Sequence, residues 1–279
     1  MTFWQKIADF FKNLFTTNEA PPPSSGVPES GSFAGGGGSG AGQVAHEIVP
    51  TTKGQLWIPF ATNIVTKYGL IIPSKGLISG GYPQLIVIHA TAGHNTQGSM
   101  LNEMKNAIKG GVLGYLGIEP NGEILQGHTL NRWTNHCGES EHPLFPGLKS
   151  LNAVSQGIEV ACGGKLDPDL KTGGFKTWFG KAVDSKNYRT ILAWPFTADG
   201  TYEKFTPEQE ASLIRLLKFL VANDPTGRLT YDHIVAHHEI SGPRWWSAGL
   251  FKKYRKTDPG GSLSMPMDDL RAKLKSGAL

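Results

Sequence analysis

Cysteine is scarce in this 279-residue chain: Cys137 and Cys162 are the only two. Two thiols so far apart exclude a disulfide framework and a cysteine-based zinc module. They leave the redox compartment open. Long apolar runs are missing as well, none approaching the roughly 20 residues that a membrane-spanning helix needs. At the N-terminus Lys6, Asp9 and Lys12 interrupt the apolar stretch that a signal peptide would require, so no secretion signal is expected. Charge of one sign is lacking too, because 27 Lys and Arg face 23 Asp and Glu, a net +4 with pI near 8.9. The basic residues are scattered, which argues against a nucleic-acid footprint and leaves an anionic polymer as a compatible partner. There is no internal repeat.

Glycine and proline are abundant, with 36 and 18 copies. Many gather between Pro21 and Gly42, where PPPSSG and GGGGSGAG cannot bury a core and read as a flexible linker. Ahead of it, residues 2 to 15 (TFWQKIADFFKNLF) separate into two faces when wound as a helix. Phe3, Trp4, Ile7, Ala8, Phe10, Phe11, Leu14 and Phe15 share the apolar face, and Gln5, Lys6, Asp9, Lys12 and Asn13 the polar one. The expected organisation is an amphipathic anchoring helix over 1–17, a linker over 18–45 and one folded domain over 46–279.

Within that domain, Leu85 to His89 (LIVIH) and Gln156 to Ala161 (QGIEVA) read as buried strands. Met100 to Lys109 reads as a helix, and Leu116 to Gln126 as two strands turning at Pro120, Asn121 and Gly122. Thr206, Pro207 and Glu208 supply an N-cap, an N1 proline and an early acid for a helix through ASLIRLLKFLVAN, and Met267 to Ser276 forms a short terminal helix. Residues 163 to 200 show no strong period and suggest a long functional loop or insertion. The expected class is α/β, a mixed central sheet flanked by helices.

Histidine carries the chemistry. Of nine, His89 closes LIVIH and His237 closes DHIVAH, and strand ends border pockets. In RKTDPGG a carboxylate, Asp258, is held on a tight turn before Pro259, Gly260 and Gly261. Two imidazoles and a carboxylate are the three protein ligands that a catalytic zinc takes, leaving a fourth position for water.

The runs IHATAG (88–93), GIEV (157–160), AHHEI (236–240) and KTDPG (256–260) together resemble the type 2 N-acetylmuramoyl-L-alanine amidases. That fold is shared with phage lysozyme-type amidases and peptidoglycan recognition proteins. The resemblance spans roughly residues 80 to 262 and implies Zn2+ held by His89, His237 and Asp258. His238 competes with His237, since in an extended segment only one of two neighbours faces a metal. The resemblance also implies a general base, either Glu159 in GIEV or Tyr115 in GYLGI, and a cation for oxyanion charge at Lys256. His136 in TNHCGES partly matches a substrate-cleft segment and would contact the stem peptide.

The expected activity is hydrolysis of the amide between N-acetylmuramic acid and L-alanine in peptidoglycan. A peptidoglycan-binding module without catalysis is the other reading, as is cargo of a phage or injection assembly. The tryptophans Trp245 and Trp246, and Trp178 and Trp194 in the 163–200 stretch, would either line a sugar-binding wall or pack the inserts. The N-terminal helix would dock on a partner protein rather than a membrane surface, because its polar face offers little attraction for anionic lipid. The protein would be made in the cytoplasm and act on the cell wall after release or injection.

Overall fold

A computed structural model of the chain describes residues 53–110, 113–241, 244 and 256–279. The expected anchoring helix, the linker, and Trp245 and Trp246 lie outside the described residues. The strands are β1 (Thr62–Asn63), β2 (Gly76–Leu77), β3 (Leu85–Ala90), β4 (Leu116–Ile118), β5 (Ile124–Gln126), β6 (Arg132–Trp133), β7 (Ser155–Val160), β8 (Asp167–Asp169), β9 (Gly174–Lys176), β10 (Ala182–Val183), β11 (Tyr188–Ile191), β12 (Gly200–Glu203) and β13 (Ile234–Ala236). The helices are α1 (Ile64–Tyr68), α2 (Ser99–Gly110), α3 (Pro207–Asn223), α4 (His237–Ile240) and α5 (Met267–Ser276).

Six strands form the main sheet in the order β1-β5-β4-β7-β3-β13. The four from β4 to β13 run parallel, and β5 is antiparallel to β4. This is the expected α/β architecture, a mixed sheet with helices on its faces. Pleating sends alternate residues to opposite sides. From β3, β4 and β7, Ile86, Ile88, Ile118, Ile158 and Val160 pack with Leu213, Leu216, Leu217 and Leu220 of α3 and with Leu270 and Leu274 of α5. On the other face, Leu85 and Val87 meet Cys137, Leu151 and Val154, while Met100 and Met104 of α2 cover Tyr115 and Leu125. His89 and Glu159 extend that second face to the carboxyl end of the sheet, where parallel α/β sheets place their ligands.

Local chemistry fixes the element ends. Thr206 and Gln209 close a reciprocal capping box at the start of α3, with Pro207 in the first turn. At Gly260 (φ +48°) a Cβ would stand 2.5 Å from the Tyr202 ring, so the turn after Asp258 needs glycine for both conformation and space.

The 163–200 stretch is more structured than its sequence suggests. It holds a three-stranded sheet, β10-β9-β8, and the first strand of the β11–β12 hairpin. Strands of two to four residues are too short to show a period. Trp194 is half-buried and Trp178 exposed, its indole Nε1 donating to the Ala92 carbonyl at 2.6 Å.

The short helix α4 is tied to α5 by a buried ion pair. Arg271 donates to both carboxylate oxygens of Glu239, at 2.9 and 3.0 Å, and to the Ile234 carbonyl at 2.9 Å. Glu239 also accepts from the Ala236 amide at the N-terminus of α4 and from Arg244. Removing one partner of a buried pair leaves the other uncompensated, so Arg271→Ala is expected to cost on the order of 3 kcal/mol. Urea unfolding monitored by circular dichroism checks this, and a loss under about 1 kcal/mol would place the pair among ordinary surface bridges.

Candidate metal centre

His89 stands on β3 in register with Glu159 on β7, so both side chains point to one face. His237 opens α4 directly after β13, which neighbours β3 on its other side. The turn before Gly260 brings in Asp258. The Nδ1 atoms of His89 and His237 are 3.0 Å apart, and Asp258 Oδ2 lies 3.2 Å from the first and 3.0 Å from the second. Both imidazoles are buried, and the Asp258 side chain is 20% exposed, so the cluster has one open side. Burial alone would raise Asp258, but the imidazoles of His237 and His89 outweigh it and hold the carboxyl well below the usual carboxylate range.

The donor set fits a metal cation. His237 Nε2 lies 3.2 Å from the Cys137 carbonyl oxygen, which can only accept, so the ring carries its proton on Nε2. In the neutral ring Nδ1 is then a lone pair facing a carboxylate oxygen and a second imidazole nitrogen. Such atoms repel at these distances unless a proton or a metal cation lies among them. Two imidazoles and one carboxylate within 4.8 Å of one another match a catalytic zinc's donor set.

The helical start of α4 separates the two adjacent histidines. Neighbours on a helix diverge by about 100°, and this rather than strand alternation turns His238 away. Its Nδ1 donates to the Asp258 main-chain carbonyl at 3.1 Å, and its Nε2 lies 3.2 Å from the Thr197 hydroxyl. His238 therefore buttresses the turn that carries Asp258.

Glu159 is buried beside His89. Burial raises its carboxyl, the nearby His89 lowers it, Asp258 raises it again and the Gly114 amide lowers it, with a net upward shift. Tyr115 sits elsewhere. It is fully buried against α2, and its hydroxyl is committed to the carbonyls of Trp133 (3.0 Å) and Pro73 (3.3 Å). Burial also raises the phenol, which makes phenolate less accessible. Lys256 is exposed two residues before Asp258.

His136 lies beneath the cluster rather than in an open cleft. Its Nδ1 is 3.0 Å from His89 Nε2 and its Nε2 is 2.9 Å from the Ser155 hydroxyl, so neither nitrogen is available to a stem peptide. Burial, with His89 and His237 nearby, depresses its basicity well below the usual histidine range and keeps the ring neutral. Sequence reading missed Ser155, Asn152 and the Cys137 carbonyl, whose roles arise from contacts between distant segments and leave no local motif.

A family model described as N-acetylmuramoyl-L-alanine amidase matches residues 79–261, which contain His89, Glu159, His237 and Asp258. This chain belongs to the N-acetylmuramoyl-L-alanine amidase family. Membership supports peptidoglycan amidase activity. No curated protein matches the sequence. Among solved structures, the amidase is similar to a selenomethionine derivative of AmpD, with 18% identity over 80% of this chain and 98% of that one, TM-score 0.45. It is also similar to AmiD from E. coli, crystallised with an anhydro-N-acetylmuramic acid peptide, with 21% identity over 72% of this chain and 61% of that one, TM-score 0.44. A third is the endolysin LysCS from Clostridium intestinale URNW, with 19% identity over 79% and 98% of the two chains and TM-score 0.40.

The raised carboxyl of Glu159 has a consequence for stability. A carboxyl raised on folding favours the folded state below the unfolded pKa and loses that contribution as pH rises through the folded value. The metal-free Glu159→Gln amidase, uncharged at every pH, is therefore expected to be more stable than the parent at neutral pH. That gain should vanish in acid, where Glu159 is protonated in both states. Thermal unfolding in chelator at several pH values reads it, and a variant less stable at neutral pH would show that the carboxylate is favoured in place.

Proposed function

We propose that this amidase is zinc-dependent and hydrolyses the amide bond joining N-acetylmuramic acid to L-alanine in peptidoglycan. The observation that carries the reading is the convergence of His89 Nδ1, His237 Nδ1 and Asp258 Oδ2 beside the buried Glu159. These three would hold the zinc. Bound there, zinc would acidify a water toward a pKa of about 7 and polarise a carbonyl.

The remaining steps belong to the chain's own groups. Glu159, already raised by burial, is the base that takes a proton from the attacking water and returns it to the departing amine. Tyr115 is set aside as base because its hydroxyl is spent on backbone carbonyls. Lys256 supplies positive charge for the oxyanion, from an exposed position that a bound substrate would cover. A purely binding module on this fold would do without the third ligand, and Asp258 is in place. Residues 2 to 15, as a tethered address for a partner protein, would bring the amidase to wall reached by release or injection.

The deciding experiment is mass spectrometry of peptidoglycan digested by the purified protein, with and without chelator. Free stem peptides beginning with L-alanine are expected, lost in chelator and restored by zinc, and His89→Ala should be inactive. Unchanged products after thorough chelation would overturn the zinc assignment, and cleavage elsewhere in the peptide would overturn the bond.

Glu159→Gln separates base from ligand. It is expected to lower turnover by about 10² to 10⁴ while leaving bound zinc unchanged by elemental analysis. Near-normal turnover in this variant would move the base to another group.

A further inference from the structure

We propose that the dipeptide His136–Cys137, clamped by Asn152, holds the protons of both histidine ligands on their outer nitrogens and thereby sets how tightly the centre grips its metal. The proposal rests on the reading of His89, His237 and Asp258 as a zinc site. It assigns His136 a positioning role in place of the stem-peptide contact expected from sequence.

The Leu151 carbonyl can only accept, and the Ser155 hydroxyl donates to it at 2.7 Å. Ser155 has no second hydrogen, so its oxygen receives Nε2–H of His136 at 2.9 Å. A neutral His136 then presents the lone pair of Nδ1 to His89 Nε2, 3.0 Å away, which must be the donor. His89 is left with a lone pair on Nδ1, the nitrogen facing His237 and Asp258. Reversing any link would put a proton on Nδ1 and block the metal. The next residue does the same for the other ligand, since the Cys137 carbonyl takes Nε2–H of His237 at 3.2 Å.

One side chain places both acceptors. Asn152 Oδ1 accepts from the backbone amides of His136 and Cys137, each at 3.0 Å. Space for the imidazole comes from Gly157 in β7, where a Cβ would stand 2.8 Å from His136 Nδ1. An alanine there would collide with the ring that orders His89. Partners behind a ligand typically change metal affinity by about 10- to 100-fold when removed.

The test compares His136→Leu with His136→Asn in the full chain, by zinc competition against a chromophoric chelator and by nitrogen–proton NMR of the metal-free protein. Leucine removes the acceptor, whereas asparagine keeps an oxygen near the position of Nδ1. His136→Leu is expected to weaken zinc binding about 10- to 100-fold. It should also move part of the His89 proton to Nδ1, and His136→Asn should recover most of both. Wild-type zinc affinity in His136→Leu, or equal losses in the two variants, would overturn the proposal. If His136→Leu does not fold, Ser155→Ala keeps the ring but removes its acceptor, and an unchanged His89 tautomer and affinity there would overturn it equally. A wild-type chain that takes up no stoichiometric zinc would instead sink the metal reading itself, a result distinct from either.

Discussion

The arrangement at the carboxyl end of the sheet depends on holding two imidazole nitrogens and a carboxylate oxygen about 3 Å apart in a largely buried place. Left to themselves these groups would separate. The fold opposes this from several sides. β3 and β13 are hydrogen-bonded neighbours in the parallel sheet, so His89 and His237 arrive from a rigid layer. Asp258 comes on a turn whose carbonyl is held by the His238 backbone amide (2.9 Å) and ring (3.1 Å). Glu239, one residue further along α4, is locked to α5 through Arg271. Preorganisation of this kind is what a metal site requires, because ligands that must first be gathered hold their ion weakly.

Much of this was legible in the sequence. The apolar runs of β3 and β7, the capping signals of α3 and the bounds of α5 were readable because each is a local pattern. His89 and Asp258 were readable for the same reason, one at the end of an apolar strand and the other ahead of a proline and two glycines. Of the adjacent pair it is His237 that faces His89 and Asp258, because the two lie on the first turn of a helix and not in an extended segment. The apolar strand before it, β13, ends at Ala236, one residue short of His237.

What could not be read are relations between segments. Nothing around Ser155 or Asn152 marks either as a partner of the histidines, and their contacts span separations of 15 to 19 residues through a loop of no regular structure. The burial of Tyr115 could not be read for a related reason. Strand alternation puts it on the same broad face as Glu159, but α2 packs over it and the backbone carbonyls of Pro73 and Trp133 take its hydroxyl. Periodicity predicts a face and not what covers it.

The insertion between β7 and β12 shows why such covering matters. It reaches both segments that bear the clustered histidines, Trp178 donating to the Ala92 carbonyl just past His89, and Thr197 meeting His238 just past His237. Ala92 has φ +51°, a left-handed conformation that costs a residue with a side chain about 1 to 2 kcal/mol. The contacts around it offset that cost, with the adjacent Gly93 amide bound to the Cys162 carbonyl at 3.0 Å at the root of the same insertion. The chain leaving β3 stays bonded to the segment that leads into the insertion, the Thr91 and Gly93 amides donating to the Val160 and Cys162 carbonyls at 3.1 and 3.0 Å. A stretch without a period in its sequence is in physical terms a second support for the loops beside the clustered histidines, so shortening it would be felt at His89 and His238 before it was felt in the core.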